Sequence, residues 1–387
     1  MKVIGMLSGT SVDGLDVAVA DLDVEADVVT LRPLHATTEP LPAGIRAAAL
    51  GVLPPARTTA GALCRLDTEF GQFCGAVAAD VARTHGGDLV ATLGQTVFHW
   101  VEDGVARGTL QVGQPAWIAE ATGLPVVSDL RARDVAAGGH GAPLASTLDA
   151  LWLRGRERRV ALNLGGIANL TVVGTVDDPV LAYDSGPANC LLDVVATRAG
   201  IAEGYDVDGR LSSRGRVDDE LLADMLTEPY FAQRPPKSTG RELFTPAWLD
   251  GHVAGRGIDG RGIDDADLAA TLVELTARTV ADAIGRHGVD EVIASGGGVR
   301  NPVLADRLAA LLRPVSMRSS DDLGLPADAK EAYLVALLGW LTWHGVPGVV
   351  PGATGSTRPR VLGRITPGDD PLRLPEPVPW IRALEIR

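Results

Sequence analysis

Residues 3–23, VIGMLSGTSVDGLDVAVADLD, decide how the rest of the chain reads. Apolar residues run to Leu7, and a turn of Ser8, Gly9, Thr10, Ser11, Val12, Asp13 and Gly14 follows. Val17 and Val19 then alternate with small or acidic neighbours. Period-two alternation around a Gly/Ser/Thr turn predicts strand, turn, strand. Such a turn concentrates backbone N–H groups and hydroxyls, the donors that can wrap a phosphate. It is not a P-loop, because no Gly-Lys-Ser/Thr follows and the turn leads into a strand. The same topology excludes the dinucleotide fingerprint. Asp13-Gly14 is also a sufficient signal for an ordinary hairpin, so this stretch alone supports both readings equally.

The motif recurs. Residues 157–174, ERRVALNLGGIANLTVVG, read as a strand through Leu164, a turn at Gly165-Gly166 and a second strand through Val173. Residues 291–314, EVIASGGGVRNPVLADRLAALLRP, read as strand, glycine turn, helix. Asn301 is the expected N-cap and Pro302 the first helical residue, where a missing N–H costs nothing. Three glycine turns at strand ends, two in hairpins and one before a helix, form the pattern of an actin-like nucleotide-binding fold. That is an α/β architecture of two duplicated mixed-sheet domains that clamp ATP in a cleft.

With 387 residues the chain can build two cores, expected as residues 1–155 and 156–387, the C-terminal segment packing back on the first domain. A formal charge of −14 excludes a basic face for nucleic acid or an anionic membrane. Cys64, Cys74 and Cys190 are odd in number and lack C-x-x-C spacing, which argues against a disulfide framework or a zinc site. Asp13 and Asp16 interrupt the N-terminal apolar stretch before any signal cleavage site, and the run from Tyr333 to Trp343 is too short to span a bilayer. The expectation is a cytoplasmic protein.

Helical spacing predicts helices over about 60–83, 143–154, 189–198, 267–288 and 329–343. A Pro/Thr-rich loop is expected after the first hairpin, a polar turn at Gly94-Gln95-Thr96, and an irregular tail after Gly363. Polar residues at strand ends are where open α/β sheets bind ligands, which singles out Gln95, Thr96, Asp129, Arg131, Arg133 and Asp134.

Seven motifs now bear on a name. MLSGTSVDGLD (6–16), LGQTV (93–97), DLRARDVAAGGHGAPL (129–144), NLGGIANL (163–170), YDSGPANCLLD (183–193), PKSTGRELF (236–244) and SGGGVRNP (295–302) together resemble the anhydro-N-acetylmuramic acid kinase family, from Val3 to about Gly363. The resemblance implies an ATP- and Mg²⁺-dependent enzyme of peptidoglycan recycling, usually a homodimer. It would open the 1,6-anhydro bridge of the sugar with water and phosphorylate O6 of the same molecule. Gly9, Thr10, Ser11, Val12, Asp13, Gly14, Leu15 and Asp16 would then hold the ATP phosphates. Asp13 would meet Mg²⁺, directly or through water. Gly165, Gly166 and Asn169 would form the second phosphate loop, and Gly296, Gly297, Gly298 and Asn301 would lie near the adenosine. Asp184 matches the catalytic base, Glu331 a second acid beside the sugar, and Gln95, Thr96, Asp129 and Arg131 the sugar-binding turns. Leu93, Ser185, Ala188 and Lys330 depart from the family's usual residues.

Bland readings stand beside these. Asp184 before Ser185-Gly186-Pro187 also suits an Asx turn or helix cap. Asp328-Ala329-Lys330-Glu331 spells a capping box. Arg131 and Arg133 could be solvated charges, or could pair the sugar's lactyl carboxylate. The roles of Lys237 and Arg241 stay open, and His99 and His140 read as structural. Two other functions fit the fold: an ordinary sugar kinase, in which Asp184 deprotonates a hydroxyl, and a non-catalytic actin-like ATPase.

Overall fold

The computed structural model describes every residue except 10, 11, 176, 236, 241, 242, 256–262 and 351. The expectations for Thr10, Ser11 and Arg241 therefore lie outside the described residues. The chain divides into two units, Met1–Trp152 with Gly324–Arg387, and Leu153–Leu323. The expected second domain, 156–387, thus ends at Leu323, and the last helix belongs to the first unit. Its apolar residues fill a core that residues 1–152 leave half built.

Unit 1 begins with β1 (Lys2–Ser8), β2 (Gly14–Glu25), β3 (Val28–Pro40), α1 (Ala43–Val52) and α2 (Ala60–His85). There follow β4 (Leu89–Glu102), β5 (Val105–Val112), α3 (Pro115–Thr122), β6 (Val126–Ser128), α4 (Ala132–Ala136) and α5 (Ala145–Leu153). Unit 2 holds β7 (Arg159–Leu164), β8 (Ile167–Val173), β9 (Leu181–Pro187), α6 (Asn189–Arg198), α7 (Asp219–Met225), α8 (Pro229–Ala232) and α9 (Pro246–Val253). It closes with α10 (Asp265–Gly285), β10 (Glu291–Ser295), α11 (Pro302–Leu312) and β11 (Ser316–Ser319). The chain then returns to unit 1 with α12 (Lys330–Trp343), β12 (Arg364–Thr366) and β13 (Ala383–Ile386).

The two sheets share one plan. In unit 1 the order β3-β2-β1-β4-β6 has β2 antiparallel to both neighbours, and β1, β4 and β6 parallel. In unit 2 the order β9-β8-β7-β10-β11 repeats this, with β8 antiparallel and β7, β10 and β11 parallel. The duplicated actin-like α/β architecture follows from that repeat.

Along β1, Val3 and Leu7 face one apolar layer while Ile4 and Met6 face another, as strand alternation requires. The second layer rests on Phe70, Cys74 and Ala78 of α2. The first rests on α12, which is buried almost all round. Two glycines let α12 approach the sheet. A Cβ at Gly5 of β1 would run into the Ala332 carbonyl, and one at Gly339 of α12 would run into Ala91. This seating places Glu331, in the first turn of α12, beside Ala332, whose carbonyl meets Gly5 of β1.

Three expectations change. The Pro/Thr loop is the strand β3, and Pro33 is accommodated where the β2–β3 register shifts between Val19 and Ala20. Gly94-Gln95-Thr96 is no turn but part of β4, and Gly94 takes φ +66° where a side chain would meet the Val112 carbonyl. The tail carries two short edge strands, β12 against β6 and β13 against β3. Among the described residues, no helix is long and apolar enough to cross a membrane.

Candidate active site

In unit 1 the turn between β1 and β2 is held from several directions. Val12 N–H donates to the Gly9 carbonyl at 3.2 Å, and Arg46 Nε donates to the Val12 carbonyl at 3.0 Å. Val12 is fully buried and adopts φ +54°, a left-handed conformation that a β-branched residue rarely takes. Strain of this kind persists only where the surroundings over-determine it, and it clusters at ligand clamps. Gly14 lies so near Thr38 that a side chain would collide with it.

Acids gather at the start of β2. Asp16 accepts a hydrogen bond from Thr38 Oγ1 at 2.6 Å, and exposed Asp13 lies near it. Burial pushes the Asp16 carboxyl up, and the Asp13 charge adds to this against the Thr38 hydrogen bond. Glu331 reaches water, yet enough protein surrounds its carboxyl to push its pKa up. Asp16 adds to the rise, and Arg131 and Lys330 oppose it. Next to Glu331, Lys330 makes a buried ion pair with Asp149 of α5 at 2.6 Å.

The parallel strands of the same sheet end in polar atoms that lack partners. Ser8 Oγ of β1, Gln95 Oε1 of β4 and Ser128 Oγ of β6 are each buried without a hydrogen bond, as is Arg131 Nε just beyond β6. A buried polar atom without a partner is costly, so these atoms, with Ser8 opposite Gln95 in the β1–β4 register and Ser128 at the end of β6, mark a ligand site. Gln95 Nε2 donates to the Gly9 carbonyl at 3.3 Å, which ties it to the turn. Thr96 accepts from Gln111, and Asp129, at φ +55°, pairs with Arg364 at 3.5 Å. Arg131 donates to the Gly141 carbonyl at 2.7 Å. Asp134 accepts from Gly141 N–H at 2.7 Å and from Thr354 at 3.0 Å, so it fixes the loop that holds Arg131. Burial holds His99 below the usual imidazole value, and Arg131 and His140 add to the effect.

In unit 2, Asp184 is neither a cap nor an Asx-turn residue. It lies inside β9, and its carboxylate accepts from Thr239 N–H at 2.9 Å. The register places Asn163, Asn169 and Asp184 in one row across β7, β8 and β9. The Gly165 and Gly166 carbonyls accept N–H groups at the start of α6, from Ala188, Asn189 and Cys190, each at 3.0 Å. Gly296 and Gly298 are glycines because the Leu164 end of β7 leaves no room for a side chain. Space around Gly297 is open. A short 3₁₀ turn precedes α11 before Asn301 caps it through Val303 and Leu304 N–H. The Asn301 amide also donates to Asp206 at 3.4 Å, so this side chain is engaged within the protein. Asn163, Asp206, Tyr230 and Thr239 went unnoticed in the sequence. Only Asn163, polar in an otherwise apolar strand, carried a readable signal.

Duplicated sheets of one strand order, with glycine turns and acids at their strand ends, define an α/β protein of the actin-like nucleotide-binding class. Comparison with known proteins narrows this. The profile of anhydro-N-acetylmuramic acid kinase matches residues 1–368. The anhydro-N-acetylmuramic acid kinase of Streptomyces avermitilis is 52% identical over 98% of both chains, and that of Streptomyces coelicolor is 51% identical over 97% of this chain and 96% of its own. The chain therefore belongs to the anhydro-N-acetylmuramic acid kinase family. A glucokinase from Streptomyces griseus with glucose and AMPPNP, at 15% identity and a TM-score of 0.37 over 88% of this chain and 99% of its own, is too distant to add to this.

Proposed function

We infer that this protein is an ATP-dependent phosphotransferase that opens the 1,6-anhydro ring of anhydro-N-acetylmuramic acid with water and phosphorylates O6. The products are N-acetylmuramic acid 6-phosphate and ADP, a step of cell-wall recycling. The observation that carries this reading is the family match over residues 1–368, joined to a carboxylate, Asp184, fixed in mid-strand by a main-chain N–H.

Asp184 is the general base. It takes a proton from the water that attacks the anomeric carbon, and a positioned base of this kind contributes about 10²–10⁴-fold. Phosphoryl transfer then asks for positioning and charge neutralisation. Residues 9–16, Gly165, Gly166 and Asn169 supply amides and polar groups for the phosphates, and Gly297 leaves open backbone for the adenosine. Gln95 Oε1 and Arg131 Nε, buried and without partners, suit a polyhydroxylated, carboxylate-bearing sugar, with Thr96, Asp129 and Glu331 nearby in the same unit.

Asp13 and Asp16 fit Mg²⁺. They are hard oxygen donors whose mutual repulsion a cation would relieve. Mg²⁺ commonly takes one or two carboxylates together with substrate phosphates. When bound, the ion supplies charge neutralisation at the phosphates. The enzyme works in the cytoplasm as a homodimer.

Incubation with ATP, anhydro-N-acetylmuramic acid and ¹⁸O-water tests the reading. Label at the anomeric oxygen of a 6-phosphorylated product is the expected result. Phosphorylation without label would make the protein an ordinary sugar kinase, and ATP loss without a sugar product would make it an ATPase.

A further inference from the structure

Asp184 sits in a closed ring of contacts. Its own N–H donates to the Lys237 carbonyl at 3.2 Å, and its carbonyl accepts from the Tyr230 hydroxyl at 2.8 Å. Its carboxylate accepts from Thr239 N–H, two residues beyond Lys237. Lys237 closes the ring, because its Nζ donates to the Tyr230 carbonyl at 2.9 Å and stands 4.2 Å from the centre of the Tyr230 ring. Tyr230 is 5% exposed and packs edge-on against Phe231 and Phe244, so its hydroxyl cannot drift without moving an aromatic cluster.

We propose that Lys237 and Tyr230 are positioning residues for the reaction: Lys237 grips the Tyr230 carbonyl and ring, Tyr230 and residues 237–239 grip Asp184, and the base is thereby set without either side chain touching substrate. This rests on the reading of Asp184 as the base. It also gives Lys237 a role that its place in PKSTGRELF left open.

The charges around Lys237 agree with such a role. Its ammonium lines a cavity of about 260 Å³ with Arg286 and Asp282 of α10, between Phe231 of α8 and Ser185 of β9. Burial, and then Arg286, hold Lys237 below the usual lysine value, while Asp184 pulls it up. A half-buried lysine beside a second cation is poorly placed for stability, and such placements concentrate at functional sites. A cation there favours the ionised form of Asp184, the form a base requires.

The test compares Lys237→Met, Lys237→Arg, Tyr230→Phe and Asp184→Asn in the full-length enzyme, with kcat and KM measured across pH. Lys237→Met should lower kcat about 10–100-fold, as misplacement of a catalytic group does, and move the acid limb of the kcat profile to higher pH. Its KM for ATP should stay within about twofold. Lys237→Arg should restore the limb. Tyr230→Phe, which keeps the ring beneath the cation, should lose less activity and leave the limb in place.

Wild-type kcat with an unmoved limb in Lys237→Met overturns the proposal. Should that variant fail to fold, wild-type kcat in Tyr230→Phe overturns it instead. Near-normal turnover in Asp184→Asn would remove the base itself. An inactive Asp184→Asn beside a fully active Lys237→Met would overturn the positioning role alone.

Discussion

Units 1 and 2 fold on one strand order but finish their strand ends differently. Unit 1 leaves Ser8, Gln95, Ser128 and Arg131 with buried atoms that lack partners, and it gathers Asp13, Asp16 and Glu331 in one region. Unit 2 also holds a buried atom without a hydrogen bond, Ser320 Oγ just past β11, but it engages its named site groups internally: Asp184 on Thr239, the Gly165 and Gly166 carbonyls on α6, and Asn301 on α11 and Asp206. The contrast teaches that a duplicated sheet can divide its labour. On the proposed reading, one copy keeps donors and acceptors for ligand and the other fixes a base in advance, so that little reorganisation would remain at the moment of reaction.

The comparison can be broken at several points. The largest effect on stability should come from Lys330→Met, which removes the cation paired with Asp149 in the unit-1 core. Removal of one partner of a buried pair costs about 3–5 kcal/mol, read as a lower denaturation midpoint. Asp149→Leu added to it should recover much of that loss. A sum of the two single effects would mean that the pair does not hold α12.

Gly5→Ala should cost about 1–3 kcal/mol as an overpacking change, because the new methyl meets the Ala332 carbonyl. It should also impair turnover by displacing Glu331. Full activity in a destabilised Gly5→Ala would separate α12 from the chemistry.

Arg131→Leu should raise KM for the anhydro sugar about 10–100-fold, the worth of a charge-assisted contact, and leave KM for ATP unchanged. Equal effects on both substrates would contradict the division between the units' roles.

The smallest effect sharpens the comparison. Asp16 and Glu331 have raised folded pKa values, so the folded state holds their protons more tightly than the unfolded state. Their contribution to stability is therefore fully present below the unfolded carboxylate range and is lost as pH rises through the raised values. Glu331→Gln removes that penalty, and at neutral pH it should raise the melting temperature by no more than about 2–4 °C while impairing activity. A fall in melting temperature would mean that Glu331 is structural.

Much of the fold was legible where local chemistry is strong. The hairpin turns, Asn301-Pro302 at the start of α11 and the long amphipathic α10 all follow from spacing and capping. Elements whose signal is tertiary were not legible. The strand β3 reads as a loop because Pro33 interrupts it, and only the bulge against β2 explains how a sheet tolerates that proline. The strand β4 is legible only as far as Gly94, whose positive φ is required by β5 and not by a turn. The short β12 and β13 exist only as partners of β6 and β3. Within the site, the glycine turns are readable in the sequence as candidate phosphate loops, but nothing local distinguishes Asp184 from a cap. Its mid-strand place and its hold on Thr239 depend on residues 55 positions away.

The central claim is that a fixed carboxylate in unit 2 acts as the base, and Asp184→Asn tests it most directly. With nucleotide affinity and sugar phosphorylation measured on the same preparation, the account predicts unchanged ATP binding and turnover lower by about 10³-fold or more. Near-normal turnover with ATP still bound would contradict it.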